Sequence, residues 1–345
     1  MEYINDIHIN EAIIHVLDNN GEEPLLNSFT LDLDEEIYKF LLKHMDKLLK
    51  DEELKYAFFN SGRNIVKEAA QEYLNGENDI VTVSKDIANQ LFTLMNSNGN
   101  IPSCDLIVVS ISTEHSPMLA ILKMDYVKNY VHKIDFVEDN IGINIVSQTT
   151  GLPSSGQKIQ KCAFIKPIRE EDKFHLMVID KQSKSKEKEE YGSNYFISNY
   201  LGCTLIDNER DMTKNLVKVT ENWTRNNVKE DAYRAENIRT TIKKKLREDD
   251  IIDIEELSTD LFKEEPLAKE NFIQFAEAHG LDKKVPIDKE WVEKKLKRIR
   301  LKIDKDIDLY INEEAYHDQD RFEIKRNGDG SINMIIKHVI NYIEK

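Results

Sequence analysis

Cysteine, proline, glycine and tryptophan are all scarce in this 345-residue chain, at three, seven, twelve and two copies. Cys104, Cys162 and Cys203 lie about forty or more positions apart with no CxxC pair. That odd, scattered set argues against a disulfide framework or a cysteine zinc site and fits a reducing compartment. No run of eighteen or more apolar residues occurs, so no membrane-spanning helix is expected. The first ten residues carry Glu2 and Asp6 and lack both a basic segment and an apolar one, so no secretory signal is expected there and the expected compartment is the cytoplasm. Nine histidines include no HExxH, and His8, His15 and His115 read as ordinary surface or core residues rather than ligands. No GxSxG or protease-like cysteine context supports nucleophilic hydrolysis. No cofactor is implied.

What is abundant is charge. Asp and Glu number 64 against 48 Lys and Arg, a formal net charge of −16, while 40% of the chain is hydrophobic. That is enough apolar material for one or two cores, and the length favours two domains. The charge is uneven: residues 1–180 hold 29 acids and 16 bases, net −13, and residues 181–345 hold 35 acids and 32 bases, net −3. A polyanionic partner is therefore expected to meet the second half.

The patterning predicts an α+β protein with a mostly antiparallel sheet in its first part, a helical middle and a β-rich C-terminal segment ending in a hairpin. Residues 7–17 alternate as a strand, and Asp34 opens a helix whose apolar positions recur from Ile37 to Leu49. Helices are expected at 62–75 and 84–96, the second capped by Ser84, and strands at 106–112, 118–124, 142–149, 159–168 and 174–180. Residues 181–190 contain no apolar side chain and mark a linker, placed at 181–192 between an acidic domain at 1–180 and a helical region at 193–285. Gly202 suits the position just past a helix that starts near Asn194. Further helices are expected at 209–226, 228–248, 254–262 and 269–279. Residues 286–345 are then expected to form a β-rich segment packed with the helical region, closed by a hairpin around Asn327-Gly328-Asp329-Gly330.

Four constellations invite chemistry. Gly151 to Lys158 approaches a phosphate-binding loop, but Gln157 stands where the lysine is needed and a strand, not a helix, follows. Asp304, Asp306 and Asp308 with Glu323 and Lys325 sketch a metal-dependent nuclease, provided they fall on adjacent strands. The remaining two are basic. Lys243, Lys244, Lys245 and Arg247 crowd a helix end, with Arg234 and Arg239 upstream. Lys294, Lys295, Lys297, Arg298, Arg300 and Lys302 form a second, denser group. With 298–303 as a strand, Arg298, Arg300 and Lys302 share one face about 6–7 Å apart while Ile299, Leu301 and Ile303 turn to the core. Such a row matches a phosphate backbone; its alternative is a solvated face paired with neighbouring aspartates.

The order of segments resembles the bacterial nucleoid-associated proteins of the YejK/NdpA type. The carriers are the strand from Ile7 to Ile14, the helix opening from Leu31 to Ile37, the aromatic segment from Tyr195 to Cys203 (an FxxFLG-like stretch) with its following helix at Thr213, Lys214 and Leu216, the segment from Phe272 to Gly280, and the terminal hairpin from Asp320 to Lys337. The resemblance implies association with the nucleoid and DNA binding, with no catalytic residues and no contact residues to carry over. The cations above are the expected DNA contacts, backbone-directed and without a recognition helix for reading sequence. A second reading is an adaptor whose acidic first half, with the aromatic stretch 191–200, holds a basic protein. The metal-dependent nuclease is the third. Monomer and homodimer both remain open.

Overall fold

The computed structural model describes residues 1–137, 140–150, 152, 159–181, 195–263, 265–303 and 306–341. The chain divides into two compact units, Glu2–Ile206 and Asp207–Lys345, with Met1 counted in the second. The expected linker lies largely outside the described residues. Beyond it, residues 195–206, expected in the helical region, pack into the first unit.

The first unit contains β1 (Ile7–Leu17), α1 (Glu35–Leu49), β2 (Lys55–Phe59), α2 (Ile65–Leu74), α3 (Ile80–Ser97), β3 (Cys104–Thr113), β4 (Pro117–Asp125), β5 (Val127–Val137), β6 (Asn140–Thr150), β7 (Lys161–Ile165), β8 (Leu176–Asp180), a π-helical turn (Tyr195–Leu201) and β9 (Cys203–Ile206). Seven of its strands make one sheet in the order β1-β3-β4-β7-β8-β2-β9, antiparallel at every junction. Residues 104–111 of β3 are all buried, which explains why the stretch reads as a continuous apolar run. Leu106, Val108, Leu119, Ile121, Ala163 and Val178 of this sheet share a core with Val66 and Ala70 of α2 and with Ile87 and Leu91 of α3.

Helix starts follow local chemistry. Asp34 caps α1 by accepting from the Ile37 amide at 2.8 Å. The start expected at Ser84 lies earlier, because Asp79 caps α3 by accepting from Thr82 N at 2.8 Å. Ser84 is instead buried mid-helix, donating to Val81 O at 3.1 Å and meeting His15 Nε2 at 2.9 Å. Asn27 N–H donates to His15 Nδ1 at 3.1 Å, so the proton sits on Nε2 and the ring is neutral. Burial, reinforced by Lys85, lowers the His15 pKa to about 4. This Ser–His pair is a satisfied core bond. All three cysteines are free and buried, and burial pushes Cys104 and Cys203 up to about 12.

The aromatic segment is also core. Tyr195, Phe196, Tyr200 and Leu201 join the first unit's cluster, and the Tyr200 hydroxyl donates to Ile87 O at 3.2 Å. Gly202 adopts φ +59°, and a Cβ there would come within 2.8 Å of Asn64 Nδ2. Asn64 is fixed: it caps α2 and donates to Tyr200 O at 2.9 Å. Glycine is thus required where the π-helical turn passes into β9.

The second unit contains α4 (Glu209–Asn227), α5 (Ala232–Glu248), β10 (Ile251–Asp253), α6 (Ile254–Phe262), α7 (Pro266–Ala278), β11 (Lys284–Pro286), α8 (Lys289–Leu296), β12 (Arg298–Ile303), β13 (Ile307–Asn312), α9 (Glu313–His317), β14 (Phe322–Arg326) and β15 (Ile332–Ile336). Asn208 and Asp211 form a capping box at α4. Trp223 meets Phe272 edge to face and Phe262 at a tilt in the core, with the indole N–H donating to Asn271 Oδ1 at 2.8 Å. Among the described residues the strands here form only two-stranded sheets: β10–β11, β12–β13 and β14–β15. β14 and β15 close the expected hairpin, Gly328 and Gly330 supplying φ +79° and +89° in the turn. Among the described residues no helix is long and apolar enough to cross a membrane.

Candidate nucleic-acid interface

Residues 294–302 hold six cations and no acid. The stretch begins in the last turn of α8, an element the expected β-rich tail omits. Asp288 caps α8, accepting from Trp291 N at 3.0 Å, and lies 3.5 Å from the buried Arg210 guanidinium. Val292 of α8 is buried in the second unit's core, with Trp291 and Leu296 packed against it. Lys294 and Lys295 are exposed in that last turn, where cations suit the helix dipole. Lys294 is paired with Glu290 one turn back.

The chain then enters β12 and the period changes from helical to two. Ile299 is buried, Arg300 exposed, Leu301 half-buried, Lys302 exposed and Ile303 half-buried. The alternation is the expected one, but Leu301 and Ile303 reach only partial cover in a sheet of two strands. The Arg298 side chain lies outside the described ones. Cross-strand register puts Arg298, Arg300 and Lys302 opposite Asn312, Tyr310 and Asp308. Arg300 pairs with Asp308 at 3.3 Å and stands over the Tyr310 ring at 5.3 Å, both partners exposed. Among the described residues Lys297 and Lys302 make no ion pair. Tyr310 is the member that sequence reasoning passed over; the alternation of β13, with Asp308, Tyr310 and Asn312 on one face, is the signal that points to it.

The other basic group is largely engaged. Lys243 is half-buried, its ammonium 5.5 Å from the Tyr316 ring centre, and burial lowers its pKa, with Arg247 and Arg239 adding to the effect. Lys244 lies 4.0 Å from Glu248, and Lys245 is held by Asp260 at 2.8 Å and Asp249 at 3.5 Å. Asp260, the larger influence, raises the Lys245 pKa. Arg247 is paired with Glu313. That glutamate links the two groups, because its own N–H donates to Lys297 O at 3.1 Å. Lys289 adds a second tie by donating to Leu246 O at 3.2 Å and Arg247 O at 2.8 Å, closing the end of α5. Two cation groups some fifty residues apart in sequence thus flank one short helix, α9.

The nuclease arrangement does not assemble. Asp308 lies on β13 and Glu323 on β14, strands of different sheets, and Asp304 lies outside the described residues. Glu323 instead accepts from Lys337 at 2.5 Å, which lowers its pKa. Among the described residues no cluster of His, Cys, Asp and Glu is placed to hold a metal ion. The glycine-rich loop at 151–158 falls almost wholly outside them. The aromatic stretch 191–200 is no partner surface over its described part, since Tyr195, Phe196 and Tyr200 are buried.

No curated protein matches the chain. The family model described as Nucleoid-associated protein YejK matches residues 13–344, nearly the whole length. The chain belongs to this family of bacterial nucleoid-associated, non-enzymatic DNA-binding proteins.

Proposed function

We propose that the chain binds duplex DNA through the phosphate backbone, with residues 294–302 as the principal contact and Lys243, Lys244, Lys245 and Arg247 assisting. The observation that carries this reading is a stretch of six cations without an acid, of which Lys294, Lys295, Lys297, Arg300 and Lys302 are exposed, the last two on one face of β12. Cations spaced about 6–7 Å along a strand meet successive phosphates and are indifferent to the bases between them. Because most of the 243–247 group is paired with acids, it adds little to affinity beside the β12 row.

Anisotropy of unrelated labelled duplexes across a salt series tests the mode of binding. Backbone contact gives equal affinity for every sequence and a log-linear loss with salt. Sequence-dependent affinity with a flat salt response rules it out. The acidic first unit, with 32 acids against 20 bases over residues 1–206, favours a further contact with a basic protein. Co-purification of such a partner that survives nuclease treatment tests that contact.

A further inference from the structure

β4 and β7 are neighbours in the main sheet, yet residues 126–160 separate them in sequence. Adjacent antiparallel strands need a connection of only about 2–5 residues. The excursion is spent on β5 and β6, which pair with each other from Val127 to Thr150 and with no other strand among the described residues. Register sorts their side chains. One face carries Tyr130, His132, Ile134 and Phe136 opposite Ser147, Ile145, Ile143 and Ile141. The other carries Val131 and Val146 among polar neighbours, with Lys133 bonded to Asp135 at 2.9 Å.

The apolar face is bare. Tyr130 is 68% exposed, Ile134 49%, Phe136 76%, Ile141 66%, Ile143 70% and Ile145 76%. At about 200 Å² for a fully exposed large side chain, the six present roughly 800 Å². That is well above the scattered exposure of a soluble surface and equals one partner's share of a standard stable interface. A two-stranded hairpin is moreover marginal in water unless its apolar face is covered.

We infer that this face packs against the same face of a second copy of the chain, so that the β5–β6 arms form the core of a homodimer. Charge favours this occupant. Residues 127–150 carry two lysines and three acids, net −1, while the whole chain carries −16. Two acidic copies can approach only where each is neutral. An eleven-residue arm spans about 35 Å, several Debye lengths at physiological salt, which leaves room to hold the charged bodies apart. An uncharged patch matched to itself also meets the requirement of a two-fold interface.

The test is sedimentation of the full chain over a concentration range, without DNA, so that its outcome is separate from that of the DNA reading. The expected result is a monomer–dimer equilibrium with Kd near micromolar or tighter. Ile143→Asp and Ile145→Asp should each weaken it at least about 30-fold while the circular dichroism stays unchanged. Lys133→Ala, on the opposite face, should leave it intact. Amide exchange over residues 130–147 should slow as the dimer forms. A wild-type monomer at every concentration, whether the face then takes lipid or another protein, overturns the inference. So does a dimer that persists in Ile143→Asp, or one that forms without slowing exchange in the arm.

Discussion

β3 and β12 are both strands paired with an antiparallel neighbour, yet they treat charge in opposite ways. Residues 104–111 of β3 are buried without interruption inside a seven-stranded sheet. β12 has one partner strand, buries Ile299 and exposes Arg300 and Lys302. A strand covered on both faces has no position left for a phosphate contact, whereas the two-stranded sheet of β12 and β13 leaves Arg300 and Lys302 open to solvent. The first unit therefore reads as scaffold along its sheet, and the DNA contact proposed above falls on a two-stranded sheet of the second. The β5–β6 arm is the exception within the first unit, because it leaves the sheet and with it the cover the sheet provides.

The sharpest way to break this contrast is to empty each core. Phe164, fully buried on β7, should cost about 3–5 kcal/mol when changed to alanine, measured by denaturant unfolding, with DNA affinity of the folded protein retained. Asp288→Ala should cost a similar 3–5 kcal/mol, since it removes both the buried partner of Arg210 and the cap of α8. Unlike Phe164→Ala it should also weaken DNA binding, because α8 positions Lys294 and Lys295. Equal effects of the two changes on binding would erase the distinction between scaffold and contact unit.

A next effect is confined to the first unit. His15 is neutral in the fold, with its pKa lowered to about 4 from 6.5 in the open chain. Between those values the unfolded chain takes up a proton that the folded chain refuses, so the stability present above pH 6.5 falls as pH drops towards 4. The full loss is on the order of 3 kcal/mol. Melting temperature against pH should show the decline, and His15→Gln should flatten it. Gly202→Ala should cost about 2 kcal/mol, through its positive φ and the contact with Asn64. The smallest change belongs to the surface: Arg300→Ala should alter stability by no more than about 0.5 kcal/mol, while DNA affinity drops several-fold.

Most of the architecture was legible in the chain because it rests on local signals. Asp34 ahead of an amphipathic run, Gly202 after a helix, and the Asn-Gly-Asp-Gly turn each mark a boundary by its own chemistry. What escaped depends on tertiary context. β2 is five residues long, and its place between β8 and β9 is fixed only by pairing. β5 divides its apolar residues between two faces, Val127 and Val131 against Tyr130, Ile134 and Phe136, so neither period stands out until β6 is laid beside it. α8 carries mostly charged residues with Val292 as its buried anchor, which leaves little periodic signal. The exposure of Arg300 and Lys302 was legible from alternation, but their neighbours Tyr310 and Asp308 needed the hairpin register. The tie between residues 243–247 and 294–302 through Glu313 is a product of packing that no local pattern announces.

The central claim is that the β12 row meets the phosphates. Its direct test is the salt dependence of duplex binding for the wild type and for a triple variant, Arg298→Ala, Arg300→Ala and Lys302→Ala, with folding checked by circular dichroism. Each lost phosphate contact lowers the slope of log affinity against log salt by about 0.9, so the variant's slope should fall by about 2–3 and its affinity at low salt at least tenfold. An unchanged slope and affinity would contradict the account and move the DNA contact elsewhere on the chain.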